Sequence, residues 1–320
     1  MTDELHMRRE QVLAAIVRAG SDGISGEQIA RELGCSRASV HRHVEALRKA
    51  GTAVLGVHEG YVIDPDADPV VGSIVVDGLH TPILGPVIWT RETGSTNDDA
   101  AAAARAGAAE GHVIGADIQT AGRGRRGRPW MTAPRDALTF SVVLRPQVAP
   151  VDAGMLPLVV AVAVAEAISP QARIVWPNDI VIDGRKVCGI LCESSLDESG
   201  LAWAVAGIGI NVHGAPQLAD ARWTAGAVGD HRPVTRGALL AQVLSALADR
   251  YAQWQADGAT PIVAAYAARD ALAGTGVTVQ VASGAIAGTA EGIDSLGRLR
   301  VRTAAGEESL GSGEVTRVEW

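Results

Sequence analysis

TAGRGRRGRPW, Thr120 to Trp130, contains G-x-G-x-x-G at Gly122, Gly124 and Gly127. At the end of a strand and the start of a helix, that run would mark a dinucleotide site on a doubly wound parallel sheet. Pro129 follows almost at once, then Trp-Met-Thr-Ala-Pro-Arg-Asp and a strand-like run. No helix N-terminus is left to hold a pyrophosphate, and the dinucleotide reading fails. What remains is four arginines (Arg123, Arg125, Arg126, Arg128) interleaved with three glycines in seven residues. Arginine forks bind phosphate or carboxylate oxygens bidentately. Glycines raise the chain entropy and like charges repel, so the loop is expected to be mobile when empty and to order around an anion. Loose binding of nucleic acid by a basic loop is the alternative. The flanking Gln119 and Trp130 favour a lid over a small molecule.

Outward from the loop, residues 91–272 alternate helix patterns (97–108, 153–169, 234–256, 261–272) with strands (113–118, 138–144, 175–182, 187–193, 202–212). Asp183-Gly184 joins two strands as a hairpin. Hairpins among long helices predict an α+β fold with a mixed sheet. Residues 273–320 turn to short strands divided by glycine turns, which predicts a small β-barrel. Residues 1–64 read as three helices and a hairpin. Ser25, with Gln28 three residues on, caps the second helix, and Gly34 ends it. Ser36 caps the third helix, whose Val40, Val44 and Leu47 form a buried stripe. Helix, tight turn, helix and a β-wing make a winged helix-turn-helix, with Ser36, Arg37, Ser39, His41, Arg42 and His43 as candidate DNA contacts. A solvated helix face is the plain alternative. Asp64-Pro-Asp-Ala-Asp-Pro69 is a linker, and 65–90 forms the entry to the large domain, with VVGSIVVDG read as strand-like.

The chain has 320 residues, 47% of them hydrophobic, enough for two or three domains with a sizeable core. Its net charge of −8 argues against wholesale coating of nucleic acid but leaves room for a local basic element. The opening MTDELHMRRE has no apolar stretch, and 155–168 is interrupted by Glu166, so a buried helix and no membrane partner are expected. Cys35, Cys188 and Cys192 suggest neither a disulfide framework nor a metal site, and no metal held directly by protein ligands is expected. A reducing cytoplasm fits this usage. Of 28 basic residues only Lys49 and Lys186 are lysine, so Lys186 is poorly explained as arbitrary surface charge.

GSTN at 94–97, QTAGRGRRGRPW at 119–130, WPNDI at 176–180, RKVCGIL at 185–191 and GIGINV at 207–212, in that order, resemble the biotin–protein ligases. SGEQIARELGCSRASVHRHVEALRKAG at 25–51 is similar to the DNA-binding domain of their bifunctional ligase/repressor members, and GIDSLGRL at 292–299 fits their C-terminal SH3-like domain. The resemblance is weakest at 65–90 and 213–232. It implies an N-terminal winged helix-turn-helix, a biotin/lipoate ligase-like catalytic domain and an SH3-like barrel. It also implies ATP, biotin and Mg²⁺, a biotin carboxyl-carrier domain as acceptor, biotin-gene operator DNA, and a homodimer when the adenylate is bound.

The resemblance assigns Arg125, Lys186 and Asp179 to catalysis. It assigns Ser95, Thr96, Asn97, Gln119, Arg123, Gly124, Arg125, Trp130, Lys186 and Gly189 to biotin. Gly122, Arg123, Arg125, Arg128, Asn178, Asn211 and Trp223 go to ATP or the adenylate, and Gly207 joins Gly189 in allowing close approach. Ser95 to Asn97 also suit a helix N-cap, and Asn178-Asp179 an Asx turn. No protein nucleophile is required. A DNA-binding biotin sensor without ligase activity, or a lipoate or other acyl ligase on the same scaffold, is the alternative.

Overall fold

The computed structural model describes residues 2–80, 85–197, 200–216 and 224–319. Trp223 lies outside the described residues. The chain begins with α1 (Thr2–Ala19), α2 (Gly26–Glu32) and α3 (Arg37–Lys49), followed by the hairpin of β1 (Val54–Val57) and β2 (Gly60–Ile63). The Ser25 and Ser36 hydroxyls accept from Gln28 N and Ser39 N, both at 3.1 Å, satisfying amides that the first helical turn leaves open. Val12, Ile16, Ile29, Val40, Val44, Leu47 and Val54 close the small core. Each aliphatic side chain fully buried there contributes about 1.5–3 kcal/mol.

The strand-like reading of VVGSIVVDG is corrected, because residues 72–77 form the helix α4 (Gly72–Asp77). Its buried residues are Gly72 and Val75, spaced three apart as one helical face. A Cβ at Gly72 would lie 2.1 Å from the Val87 carbonyl oxygen. That close packing overrides the β preference of the branched residues.

The central sheet is built from β3 (Val87–Thr93), β4 (Val113–Gln119), β5 (Ala137–Leu144), β6 (Arg173–Val175), β7 (Asp179–Ile182), β8 (Arg185–Asp197) and β9 (Gly200–Asn211). Its order is β3-β4-β5-β9-β8-β7-β6, with β3 and β4 parallel and the other pairs antiparallel. The run 175–182, read as one strand, is two, because Trp176-Pro177-Asn178 turns the chain and proline has no N–H for a ladder. Asp183 and Gly184, both at positive φ, join β7 to β8. Alternate residues of the central strands serve two faces. Val143 and Val205 pack against Ala100 and Ala104 of α5 (Thr96–Arg105). Phe140, Val142, Ala204 and Ala206 pack into the larger core with α6 (Leu156–Ile168), α7 (Arg236–Asp257) and α8 (Thr260–Ala267). Residues 150–168 are long and apolar enough to cross a membrane by composition, yet ten residues of α6 are buried inside the protein, as expected of a core helix.

At the C-terminus, β10 (Gly276–Val281), β11 (Gly284–Ile293), β12 (Leu299–Thr303), β13 (Gly306–Leu310) and β14 (Glu314–Glu319) form an antiparallel sheet ordered β13-β12-β11-β10-β14. Among the described residues no pairing joins β13 to β14, the two ends of this order. Trp176 Nε1 donates to Gly297 O at 3.0 Å and anchors this sheet to the central core.

Candidate functional site

The strand ends of the central sheet, the start of α5 and the arginine-rich loop enclose a cavity of about 700 Å³. Its wall includes Ser95, Thr96, Asn97, Gln119, Arg123, Gly124, Arg125, Arg128, Trp130, Asn178, Asp179, Lys186, Gly189, Gly207 and Asn211. Residues scattered over more than a hundred positions of sequence thus share one cleft.

Hairpin geometry sets the charged centre. A register shift after Ile180 places Lys186 opposite Val181 while Asp179 pairs with Gly189. Lys186 Nζ lies 2.7 Å from Asp179 Oδ1, and the carboxylate is almost buried. Asn178 donates to Ile190 O at 2.7 Å and accepts from Arg125 Nη1 at 3.3 Å. Burial pulls the Arg125 pKa down, with the Asp179 carboxylate opposing that shift. An arginine remains charged across such shifts, so the cleft holds a desolvated cation beside an ammonium.

Trp130 covers the floor. A Cβ on Gly189 would lie 3.0 Å from its ring, and one on Gly209 would lie 2.4 Å from Cε2. These two glycines are partners across β8 and β9, so only their missing side chains make room for the indole. Lys186 Nζ stands 5.8 Å from the ring centroid, within cation–π range. The buried Trp130 Nε1 has no hydrogen-bond partner among the described residues.

The other wall is polar and nearly dry. Ser95, Thr96 and Asn97 are buried. Ser95 stands at the N-cap of α5, but its side chain makes no capping bond; instead the Thr96 amide and hydroxyl donate to Gln119 Oε1 at 2.8 and 3.1 Å. Asn97 donates to Glu193 Oε2 at 2.8 Å and accepts from the Ser141 hydroxyl at 2.6 Å. A Cβ on Gly207 would fall 2.0 Å from Asn97 Oδ1. Asn211 donates to Gly226 O at 3.0 Å, and its buried Oδ1 has no partner among the described residues.

The arginines do not all point at this centre. Arg123 forms a two-pronged pair with Asp98, both contacts at 2.6 Å, which holds the Asp98 carboxyl below its usual range. Arg126 and Arg128 both reach Glu314 of the C-terminal sheet. Three of the four loop arginines therefore already meet carboxylates, Asp98 and the Glu314 that two of them share, while Arg125 faces the cleft. Sequence reasoning missed Asp98, Ser141, Glu193, Gly209 and Glu314. Gly209 sits inside the GIGIN motif and could have been found by its spacing from Gly207; Glu314 carried no local signal. Burial pushes the Cys192 thiol up to about 12 and raises Cys188 as well, so both stay protonated and neither is poised as a nucleophile.

On α3, Arg37, His41 and Arg42 are exposed, Ser39 and His43 are half-buried, and Ser36 is committed to the cap. Burial and then the charges of Arg9, Arg42 and Arg8 hold the His43 pKa below 6.5, leaving it neutral at pH 7.

Comparison with known proteins gives the frame. Residues 92–211 match the biotin/lipoate A/B protein ligase family, 8–62 an HTH domain, and 274–317 the biotin protein ligase C terminal domain. The bifunctional ligase/repressor BirA of Bacillus subtilis is 32% identical over 318 residues, covering 96% of this chain and 98% of that protein. A biotin–[acetyl-CoA-carboxylase] ligase of Paracoccus denitrificans is 36% identical over 241 residues, covering 70% of this chain and 97% of its own. The biotin protein ligase of Aquifex aeolicus, solved in complex with biotin and ATP, superposes with a TM-score of 0.62 at 26% identity, covering 73% of this chain and 99% of its own. The chain belongs to the biotin protein ligase family and carries the domain set of its bifunctional ligase/repressor members.

Proposed function

We propose that this protein is an ATP-dependent biotin–protein ligase that also acts as a biotin-responsive repressor. The observation that carries the reading is the Lys186–Asp179 pair beside Arg125 and Asn178, set under Trp130 in a cleft large enough for a small ligand. Two anions must react there. A biotin carboxylate oxygen attacks the α-phosphorus of ATP, the bond to the bridging oxygen breaks, and pyrophosphate leaves. Lys186 and Arg125 offset the repulsion between carboxylate and triphosphate and hold them in line. Ser95, Thr96 and Gln119 supply the polar contacts for the biotin head, while Gly124, Gly189 and Gly207 let it approach. Gly122, Arg123, Arg128, Asn178 and Asn211 belong to the nucleotide side, Arg123 and Arg128 after leaving their carboxylates. Closure of Trp130 and the loop excludes water from the mixed anhydride.

In the second step the acceptor lysine of a carboxyl-carrier domain attacks the acyl carbon, the bond to the phosphate oxygen breaks, and AMP leaves. Asp179 takes the proton that the amine sheds. A Mg²⁺ ion would add charge neutralisation at the phosphates. Among the described residues no cluster of three His, Cys, Asp or Glu groups could hold it. The Asn211 Oδ1, without a partner among the described residues, fits an ion carried by phosphates and water, as an acceptor for a water of its shell.

The same reading divides the chain into a DNA-binding unit (1–64), a linker and entry (65–90), a catalytic domain (91–272) and a C-terminal domain (273–320). It also places the protein in the cytoplasm and predicts a homodimer on operator DNA once the adenylate forms. The test is transfer of labelled biotin to a carboxyl-carrier domain, with lipoate as competitor. Transfer that needs ATP and resists lipoate supports the ligase; DNA binding without transfer leaves a sensor, and preference for lipoate leaves a different acyl ligase.

A further inference from the structure

Asp68 of the linker is hydrogen-bonded into the catalytic domain. It has φ +37°, in the left-handed region that a non-glycine residue rarely adopts. Its Oδ2 accepts from His213 Nε2 and from the Arg236 amide at the start of α7, both at 2.7 Å. Its carbonyl accepts from Arg236 Nε at 3.2 Å and Nη2 at 2.7 Å. Arg236 is fully buried and carries the connection inward: Nη1 donates to Asp117 Oδ1 at 2.8 Å and to Ala137 O at 3.4 Å.

Each arm ends two residues from a residue that lines the ligase cavity. Asp117 lies on β4, two residues before Gln119, the acceptor for Thr96. His213 lies two residues beyond Asn211, and its amide donates to Asp136 O at 2.9 Å, next to the Ala137–Asn211 strand pair. On the other side, Asp68 leads through Pro69 into the start of α4, where Ser73 N donates to Glu10 Oε1 of α1 at 2.9 Å. Arg91 of β3 also holds Ala50 O, just past α3, at 2.5 Å. Both walls of the site and the base of the DNA-binding unit thus meet within a few hydrogen bonds of one carboxylate.

We propose that Asp68 is a positioning residue that ties the placement of the DNA-binding unit to occupancy of the ligase site. The inference rests on the ligase reading and names a regulatory element of that site. Ligand contacts that tighten the ends of β4 and β9 favour one arrangement of His213, Arg236 and Asp68, and the linker follows. Coupling requires that the ligand prefer that arrangement, and reciprocity then makes the linker affect ligand affinity.

Arg236 is unsuitable for the test, because removing a buried arginine strands two carboxylates and endangers folding. Asp68→Ala and Asp68→Asn, made in the full chain, separate coupling from scaffolding. Two quantities are read: steady-state transfer of biotin to a carboxyl-carrier domain, and amide exchange across 37–49 and 64–80 with and without biotin plus ATP. Site-to-site couplings span roughly 5- to 150-fold, so Asp68→Ala should raise KM for biotin about fivefold with kcat unchanged. The slowing of exchange that loading produces in the wild type should vanish in Asp68→Ala and return in Asp68→Asn, which keeps an acceptor oxygen. Wild-type KM and an undiminished loading response in Asp68→Ala overturn the coupling alone. No transfer by the wild type overturns the ligase reading on which it rests.

Discussion

Lys186 and Asp179 form a pair in which one partner is almost buried, so a substitution at either has two consequences. On the proposed reading, removing the ammonium takes away a positive group that faces the reacting anions; deleting one such electrostatic contact costs about 10²–10³ in rate. It also takes the cation at 2.7 Å away from Asp179, in a poorly hydrated place. Lys186→Met should therefore reduce kcat/KM for biotin transfer about 10²–10³-fold, with a lower melting temperature that the added change Asp179→Asn restores while activity stays lost. Full activity in Lys186→Met would remove the lysine from the chemistry. Gly209 makes a steric argument: a methyl there would sit 2.4 Å from the Trp130 ring, so Gly209→Ala must move the indole. Overpacking of this kind costs about 1–3 kcal/mol, and the effect should appear as faster escape of the adenylate with the fold intact. These residues were legible in sequence to different degrees. Lys186 stood out because the chain otherwise prefers arginine. Arg123 could be recognised as a cation, but its pairing with Asp98 depends on α5 and the loop meeting in space, which residue spacing does not encode.

The arginine loop and the C-terminal sheet meet through Glu314, an interaction between elements that neither possesses alone. Arg126 and Arg128 are about half exposed, and exposed ion pairs contribute about 0–1 kcal/mol each. Glu314→Gln should thus shift the melting point little, yet speed amide exchange at 124–128 in the ligand-free protein. Exchange unchanged there would mean that Glu314 does not restrain the loop. A second prediction belongs to α3. The folded His43 pKa lies below its unfolded value, so between those values the unfolded chain binds more protons. The stabilisation is present above about pH 6.5 and is lost as pH falls through the lower, folded value. His43→Gln should weaken the loss of α3 stability on acidification, read by exchange between pH 7.5 and 5.5. Elements with a clear period or cap were readable in advance: α2 and α3 by Ser25 and Ser36, and the β7–β8 hairpin by Asp183-Gly184. The α4 segment was not, because Val-Val and Ile-Val-Val favour strands locally and only packing of Gly72 against Val87 makes the turn of helix preferable.

Across the whole molecule, charge and domain order act against each other. The net charge of −8 repels DNA, while α3 presents Arg37 and Arg42 to solvent. The order of domains was legible because each unit carries its own motif; the junction at Asp68 was not, since its partners His213 and Arg236 lie far along the chain. With the bulk of the protein repulsive, binding must come from a small number of local phosphate contacts, and salt should weaken it steeply. Each phosphate neutralised contributes about 0.9 to the slope of log affinity against log salt. If Arg42 meets a phosphate, Arg42→Ala should lower that slope by about 0.9 for one bound protomer and about 1.8 for a symmetric dimer. The measurement is a salt titration of adenylate-loaded protein on a fragment from the promoter of its own biotin genes. A drop of the larger size identifies two α3 helices on the same DNA; the smaller identifies a single engaged unit and contradicts the dimeric repressor. An unchanged slope means that the exposed face of α3 merely faces water, and the DNA-binding role assigned to Arg42 falls.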